Sequence, residues 1–162
     1  MELWDVLDEN GMKTGRRIVR GQGLRLGDFH LVVHVWIRND EHEFLIQRRA
    51  AHLNWMPGIW ATTGGHVVAG EDSLTGAIRE TKEELGIDVN PDRLDKIARL
   101  RRIDSIVDLW LAEIRMDEWV VPCLGAEVSE VKWASKSEIR EMVSYGQFYE
   151  YSYLEMLFRS WA

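Results

Sequence analysis

Glu80, Glu83 and Glu84 stand at i, i+3 and i+4 of a stretch whose apolar residues recur with helical spacing. At about 100° per residue the three carboxylates cover roughly a 100° arc. They lie beside the apolar stripe Leu74, Ala77, Ile78, Thr81 and Leu85. Like charges at this spacing destabilise a helix by about 0.2–0.5 kcal/mol per pair. They also sit in the C-terminal half of the helix, where the macrodipole disfavours negative charge. Folding alone would prefer Lys or Arg there. A hard divalent cation reverses the sign of both penalties, because Mg²⁺ or Mn²⁺ takes clustered carboxylate oxygens. A solvated acidic face in which Arg79 pairs with Glu83 is the other reading of the same residues.

Such a cluster has to be positioned. Asp72 is suited to cap the helix and Gly86 to stop it, so the spacing predicts a helix over Ser73–Leu85. The run His30 to Ile37 reads as a strand with Leu31, Val33, Val35 and Ile37 on its core face, and His30, Val32, His34 and Trp36 on the other. Further strands are expected at Glu43–Arg48, Ile97–Ile103, Ile106–Ile114 and Val128–Trp133, with a loop from Ala50 to Gly65. Lys136–Val143 and Tyr149–Trp161 read as helices. Residues 1–27 carry short strand-like pieces, Leu3–Leu7 and Arg17–Val19, around the turn residues Asp8-Glu9-Asn10-Gly11. They suit a hairpin or edge extension of one domain rather than a separate one. Strands and helices mix without strict alternation, which points to a layered α/β architecture.

The glutamates belong to a longer pattern. Gly65, five residues, Glu71, seven residues and then Arg79-Glu80-Thr81-Lys82-Glu83-Glu84-Leu85-Gly86-Ile87 resembles the Nudix box, with all seven fixed letters present. Thr81 replaces the first aliphatic residue, although it lies on the apolar stripe. The resemblance implies a three-layer α/β/α sandwich with a mixed sheet, occupying residues 28–162 after the N-terminal extension. It also implies metal-dependent hydrolysis of a pyrophosphate bond in a nucleoside diphosphate linked to another group, or in a related phosphorylated metabolite. On that basis Glu80 and Glu84 are expected to hold Mg²⁺ or Mn²⁺. Glu83 would be a further ligand or position the water, and the Gly65 carbonyl would join the metal. Glu71 and Arg79 are expected to brace the box. The general base in this family often lies outside the box, and here Glu127 is the first candidate, with Glu130 second.

The flanking segments Trp4-Asp5-Val6, His30 to Trp36, Gln47-Arg48-Arg49, Trp55 to Trp60 and Gly65-His66 are similar to the Nudix subgroup related to isopentenyl diphosphate isomerase. In that isomerase, histidines matching His30 and His66 help bind metal. Its catalysis also needs a cysteine two residues before the latter and a glutamate on a later strand. Here position 64 is Gly64, and Ile103 to Leu109 contain no Glu. Cys123 is remote in sequence and is expected to be a small buried hydrophobe. Hydrolysis is therefore expected over isomerisation. A domain that senses a nucleotide or metabolite without cleaving it remains a third reading, disfavoured because a sensor has no need of the costly acidic cluster.

Arg48, Arg49, Trp55 and His34 are the candidate substrate contacts, with Arg99, Arg101 and Arg102 as further phosphate-binding candidates, since a guanidinium fork suits phosphate. Trp36, Trp55 and Trp60 are either core residues or platforms for a base. Composition bounds the rest. A chain of 162 residues, 46% of them hydrophobic, builds one ordinary domain. A net charge of -7 makes duplex nucleic acid a poor partner. No apolar run approaches a membrane span, the N-terminus is unlike a signal peptide, and a single cysteine excludes an internal disulfide. A cytoplasmic protein acting on a small phosphorylated molecule is expected. Homodimers are common in the family that the box resembles, and nothing in the sequence decides that point.

Overall fold

In the computed structural model, which describes residues 1–119 and 121–161, the organising element is β3, His30–Asn39. Its ten residues run parallel to β8 (Ser105–Ile114) in unbroken register, from His30 opposite Ser105 to Asn39 opposite Ile114. On its other side β3 changes neighbour partway along. Arg38 pairs with Phe44 of β4 (Phe44–Arg49), whereas Val32 to Val35 pair with β6 (Thr63–His66). The two strands of the β3–β4 hairpin therefore diverge, and β6 fills the space along β3. The order across the sheet is β5 (Trp60–Ala61), β4, β3, β8, β7 (Leu94–Arg101), with β6 on β3 and β9 (Val128–Ala134) on β4.

Both faces of this mixed sheet are covered. Val33, Val35, Ile37, Leu45 and Trp110 pack against Ala77 and Leu85 of α1 (Ser73–Leu85). Trp36, Phe44, Ile46, Val107 and Leu109 pack against α2 (Lys136–Ser144) and α3 (Leu154–Ser160). This is a three-layer α/β/α sandwich. It corrects the expectation of a single core face on β3. Trp36 on the opposite face is fully buried, as a strand covered by helices on both sides requires.

Helix α1 begins where the side chain of Asp72 accepts the Thr75 N–H at 2.8 Å and ends at Gly86, whose φ of 67° closes the helix in the left-handed conformation. Residues 1–27 include a two-stranded antiparallel sheet, β1 (Leu3–Leu7) with β2 (Lys13–Val19), which packs on the loop ahead of α1.

Three further expectations are corrected. The loop over Ala50–Gly65 contains β5 and most of β6. The segment from Tyr149 to Tyr153 is not helical: Tyr149 N–H donates to the Trp60 carbonyl, and Trp60 N–H to the Gln147 carbonyl, so the chain enters the segment bridged to β5. Its alternation of Tyr with Glu150 and Ser152 is a strand-like period of two. Cys123 is exposed rather than buried, because its segment runs over the surface beside Gly86.

Candidate active site

The divergence of β3 and β4 opens a cleft of about 800 Å³ above the sheet. Its floor is the loop before α1 together with the inward side of α1. Arg79 is the hub of that floor. Its Nε and Nη2 donate to the two oxygens of Glu71 at 2.8 and 3.1 Å, and Nη2 also donates to the His66 carbonyl at 2.9 Å. Its Nη1 reaches Glu80 at 3.0 Å and Glu83 at 3.1 Å. One planar guanidinium thus ties the two ends of the loop to the helix, a task a lysine's point charge does not match.

The three helix glutamates differ in depth. Glu83 is exposed, Glu80 half-buried and Glu84 buried. Glu84 accepts from Gln47 Nε2 at 2.7 Å and from the Gly64 N–H at 3.2 Å. Burial, reinforced by the charge of Glu80, pushes the Glu84 carboxyl up to about 8 although both hydrogen bonds oppose it. Burial likewise pushes Glu80 up to about 6 against the pull of Arg79. The carboxylate of Glu80 occupies the place where a side chain would stand at Gly65: a Cβ there would lie 2.6 Å from it.

Across the cleft, Glu127 is exposed on the wall preceding β9, and its charge is one of those that raise Glu84. Arg49 also lines the cleft, with its guanidinium 4.9 Å from the Trp55 ring centroid and its Nε donating to the Trp55 carbonyl at 3.0 Å. Trp55 is 57% exposed and stands beside Tyr149. His34 lies in the wall, its Nδ1 2.7 Å from the Tyr153 hydroxyl.

The structure does not bring every candidate here. Arg48 turns outward to the Gly58 carbonyl and to Glu130, so neither Arg48 nor Glu130 faces the cleft. Alternation along β4 is the reason, since it aims Arg48 away from the side that carries Gln47 and Arg49. Arg99 is committed to the buried Asp108 through bonds of 2.6 and 2.8 Å, and Trp36 is core. Gln47, Tyr149 and Tyr151 line the cleft and were missed. Gln47 carried a signal, a polar residue directly after the apolar run Phe44-Leu45-Ile46, and it is buried with them. His30 and His66 lie side by side on the indole of Trp4, at 4.3 and 4.5 Å between ring centroids. Burial holds both imidazoles below their ordinary range, His66 at about 4.

With this geometry in view, the chain compares clearly with known proteins. Residues 28–153 match the family model of the NUDIX domain. The chain belongs to the Nudix family of hydrolases. This Nudix chain is 32% identical over 159 residues to an uncharacterised Nudix hydrolase from Listeria monocytogenes, covering 98% of this chain and 94% of that one. It is 34% identical over 138 residues to an isopentenyl-diphosphate Delta-isomerase from Dinoroseobacter shibae, covering 80% and 75%. The crystal structure of a Deinococcus radiodurans protein superposes with a TM-score of 0.79 at 19% identity, over 99% of this chain and all of that one, and shows the same fold.

Nudix enzymes generally use divalent metal ions. The donor chemistry fits a hard cation: Glu80, Glu83, Glu84 and the Gly65 carbonyl offer oxygen only. No three His, Cys, Asp or Glu side chains converge on one point among the described residues. Glu80 is drawn toward Arg79 and Glu84 toward Gln47 and Gly64. The cost of ionising the buried Glu84 is one that a bound cation would offset.

Proposed function

We propose that this Nudix hydrolase cleaves a phosphoanhydride bond in a small phosphorylated metabolite, such as a nucleoside diphosphate linked to a second group. The observation that carries the proposal is the floor of the cleft, where Arg79 braces Glu71 and Glu80 while Glu84 is held buried at the end of a Gln47 hydrogen bond. Glu80, Glu84, Glu83 and the Gly65 carbonyl would hold Mg²⁺ or Mn²⁺, which when bound neutralises phosphate charge and makes water a nucleophile near neutral pH. Glu127 takes the proton from the attacking water; its carboxylate is exposed on the facing wall and has no ion-pair or hydrogen-bond partner among the described residues. Arg79 and Glu71 keep the loop and helix in register during turnover. Arg49, Trp55 and His34 contact the rest of the substrate.

Isomerisation of a prenyl diphosphate is supported less well. The matching cysteine position is Gly64, and a Cβ there would overlap the carbonyl oxygen of Val33, so this backbone admits no side chain at 64. The testing experiment is phosphorus NMR with Mg²⁺ and a panel of nucleoside di- and triphosphates, nucleotide sugars, dinucleoside polyphosphates, coenzyme A and isopentenyl diphosphate. Glu83→Gln runs beside it. Cleavage that is lost in the variant is the expected result, and the resonances that move identify the bond. Absence of cleavage with either metal, alongside retained ligand binding, would replace the hydrolase with a sensor.

A further inference from the structure

We propose that His34 and Arg102 form an anion subsite in the wall of the cleft, built to take a phosphate group of the substrate; it extends the hydrolase assignment above. Two kinds of observation carry it, one from each residue.

Trp36 Nε1 can only donate, and it donates to the Tyr153 hydroxyl oxygen at 3.1 Å. That hydroxyl is buried, and its one proton has a single acceptor within reach among the described residues, His34 Nδ1 at 2.7 Å. An unused hydroxyl proton in such a place is costly, so Tyr153 donates and Nδ1 accepts. The proton of a neutral His34 then sits on Nε2. Burial and the nearby Arg102 keep the ring neutral, well below its ordinary titration range. Tyr151 packs edge-on at 5.1 Å and is itself fixed by the Thr62 N–H, so the ring is held on two sides. Among the described residues Nε2 has no hydrogen-bond partner, and it is not one of the sealed, unpartnered buried atoms. It is a fixed neutral donor on a residue that lines the cleft.

Arg102 supplies the charge. Among the described residues it is the half-buried arginine whose guanidinium has neither an ion-pair partner nor a hydrogen-bond acceptor; Arg38, Arg49 and Arg79, the others at that depth, all have one. Its backbone is anchored, its N–H donating to the Ser105 carbonyl at 2.8 Å at the turn into β8. It lines the same cleft as His34, and its charge is felt at His34, Tyr151 and Tyr153. A partly desolvated cation without a partner is kept at a cost unless a ligand pairs with it. A guanidinium fork and a neutral N–H lining one cleft are both donors, which suits a phosphate with several acceptor oxygens.

The test uses inorganic pyrophosphate with EDTA present, so that no metal assists, and isothermal calorimetry on the whole protein. Wild type is expected to bind with a Kd in the millimolar range or below. Arg102→Gln is expected to weaken binding by about tenfold or more, and His34→Phe by a smaller factor. Arg25→Gln, which removes an exposed charge outside the cleft, should bind as wild type does. No binding by wild type, or equal binding by Arg102→Gln, overturns the subsite, as does malonate binding in place of pyrophosphate. Nitrogen-15 NMR of the histidines checks the donor itself: His34 protonated on Nε2 is expected, with loss of that preference in Tyr153→Phe, and protonation on Nδ1 in wild type refutes it. None of these readouts depends on hydrolysis, so failure here is distinguishable from failure of the phosphorus NMR experiment.

Discussion

Adding one methyl group at Gly65 should separate catalysis from folding. A Cβ at that position would stand 2.6 Å from the Glu80 carboxyl carbon and Oε1, and 2.7 Å from Oε2. That is about 1 Å inside ordinary van der Waals contact, so one party must retreat by that much. The flexible end of a side chain yields more easily than backbone, and the Glu80 carboxylate is the part that moves, away from the loop it shares with Arg79. A displacement of about 1 Å at a positioned group costs on the order of 10²-fold in rate. Fold stability should change by about 1 kcal/mol or less, a melting shift of about 2–4 °C for a chain of this size. Gly64→Ala is the contrast. Its Cβ would overlap the Val33 carbonyl oxygen in β3, so the paired backbones of β3 and β6 must part. That variant is expected to melt more than about 10 °C lower or to fail to fold, the result of losing several kcal/mol. Thermal melts and phosphorus NMR turnover read the two effects separately. Near-wild-type turnover by Gly65→Ala would show that Glu80 is not needed where it lies. A Gly64→Ala protein as stable as wild type would refute the packing on which the comparison stands.

The remaining expectations concern other parts of the site. In EDTA the protein should lose stability as pH rises from about 7 to about 8, because native Glu84, raised to about 8, keeps a proton that the unfolded chain has already released. Below about 7 the sign is mixed, since His30, His34 and His66 are held neutral in the fold and add stability with rising pH, against Glu80 and Glu84, so the upper window is the clean one. Glu84→Gln should flatten the curve there, and an unchanged slope in that variant would assign the titration elsewhere. Asp5 accepts the Gly70 N–H at 2.8 Å and pairs with Lys13 and Arg17, clamping the N-terminal hairpin to the loop that carries Glu71. Asp5→Ala should lower turnover several-fold with little change in KM, Asp5→Asn should recover most of it, and equal loss in both would point to charge rather than to the hydrogen bond. Glu127→Gln should slow turnover without weakening metal binding measured by calorimetry, and unchanged turnover would remove Glu127 from the mechanism.

The parts of this molecule legible in its sequence are those whose determinants are local. Asp72, the apolar stripe and Gly86 define α1 within fifteen residues, and the box spacing brings Gly65, Glu71 and the helix glutamates into one place. What was not legible depends on partners far along the chain. Alternation in β3 and β4 is plain, yet only the covering of both sheet faces decides that Trp36 is core while Gln47 and His34 face the cleft. The tyrosine segment reads as helix in sequence because its apolar residues satisfy either period over so short a stretch, and the contact that decides between them is with Trp60. The acidic helix teaches the same lesson on a finer scale. A wheel places Glu80, Glu83 and Glu84 on one side but says nothing of their depth, so it offers ion pairing by Arg79 and a metal-binding role as alternatives. In the fold Arg79 pairs with both Glu80 and Glu83, and what separates the three carboxylates is their depth. Glu83, at 59% side-chain exposure, meets Arg79 at the surface, while Glu80 and Glu84 at 13% and 8% exposure turn inward where water no longer screens them. A surface pair of that kind contributes little, about 0.3–0.5 kcal/mol. The unfavourable energy of the cluster is concentrated in the two buried carboxylates, which is where a divalent cation has most to neutralise.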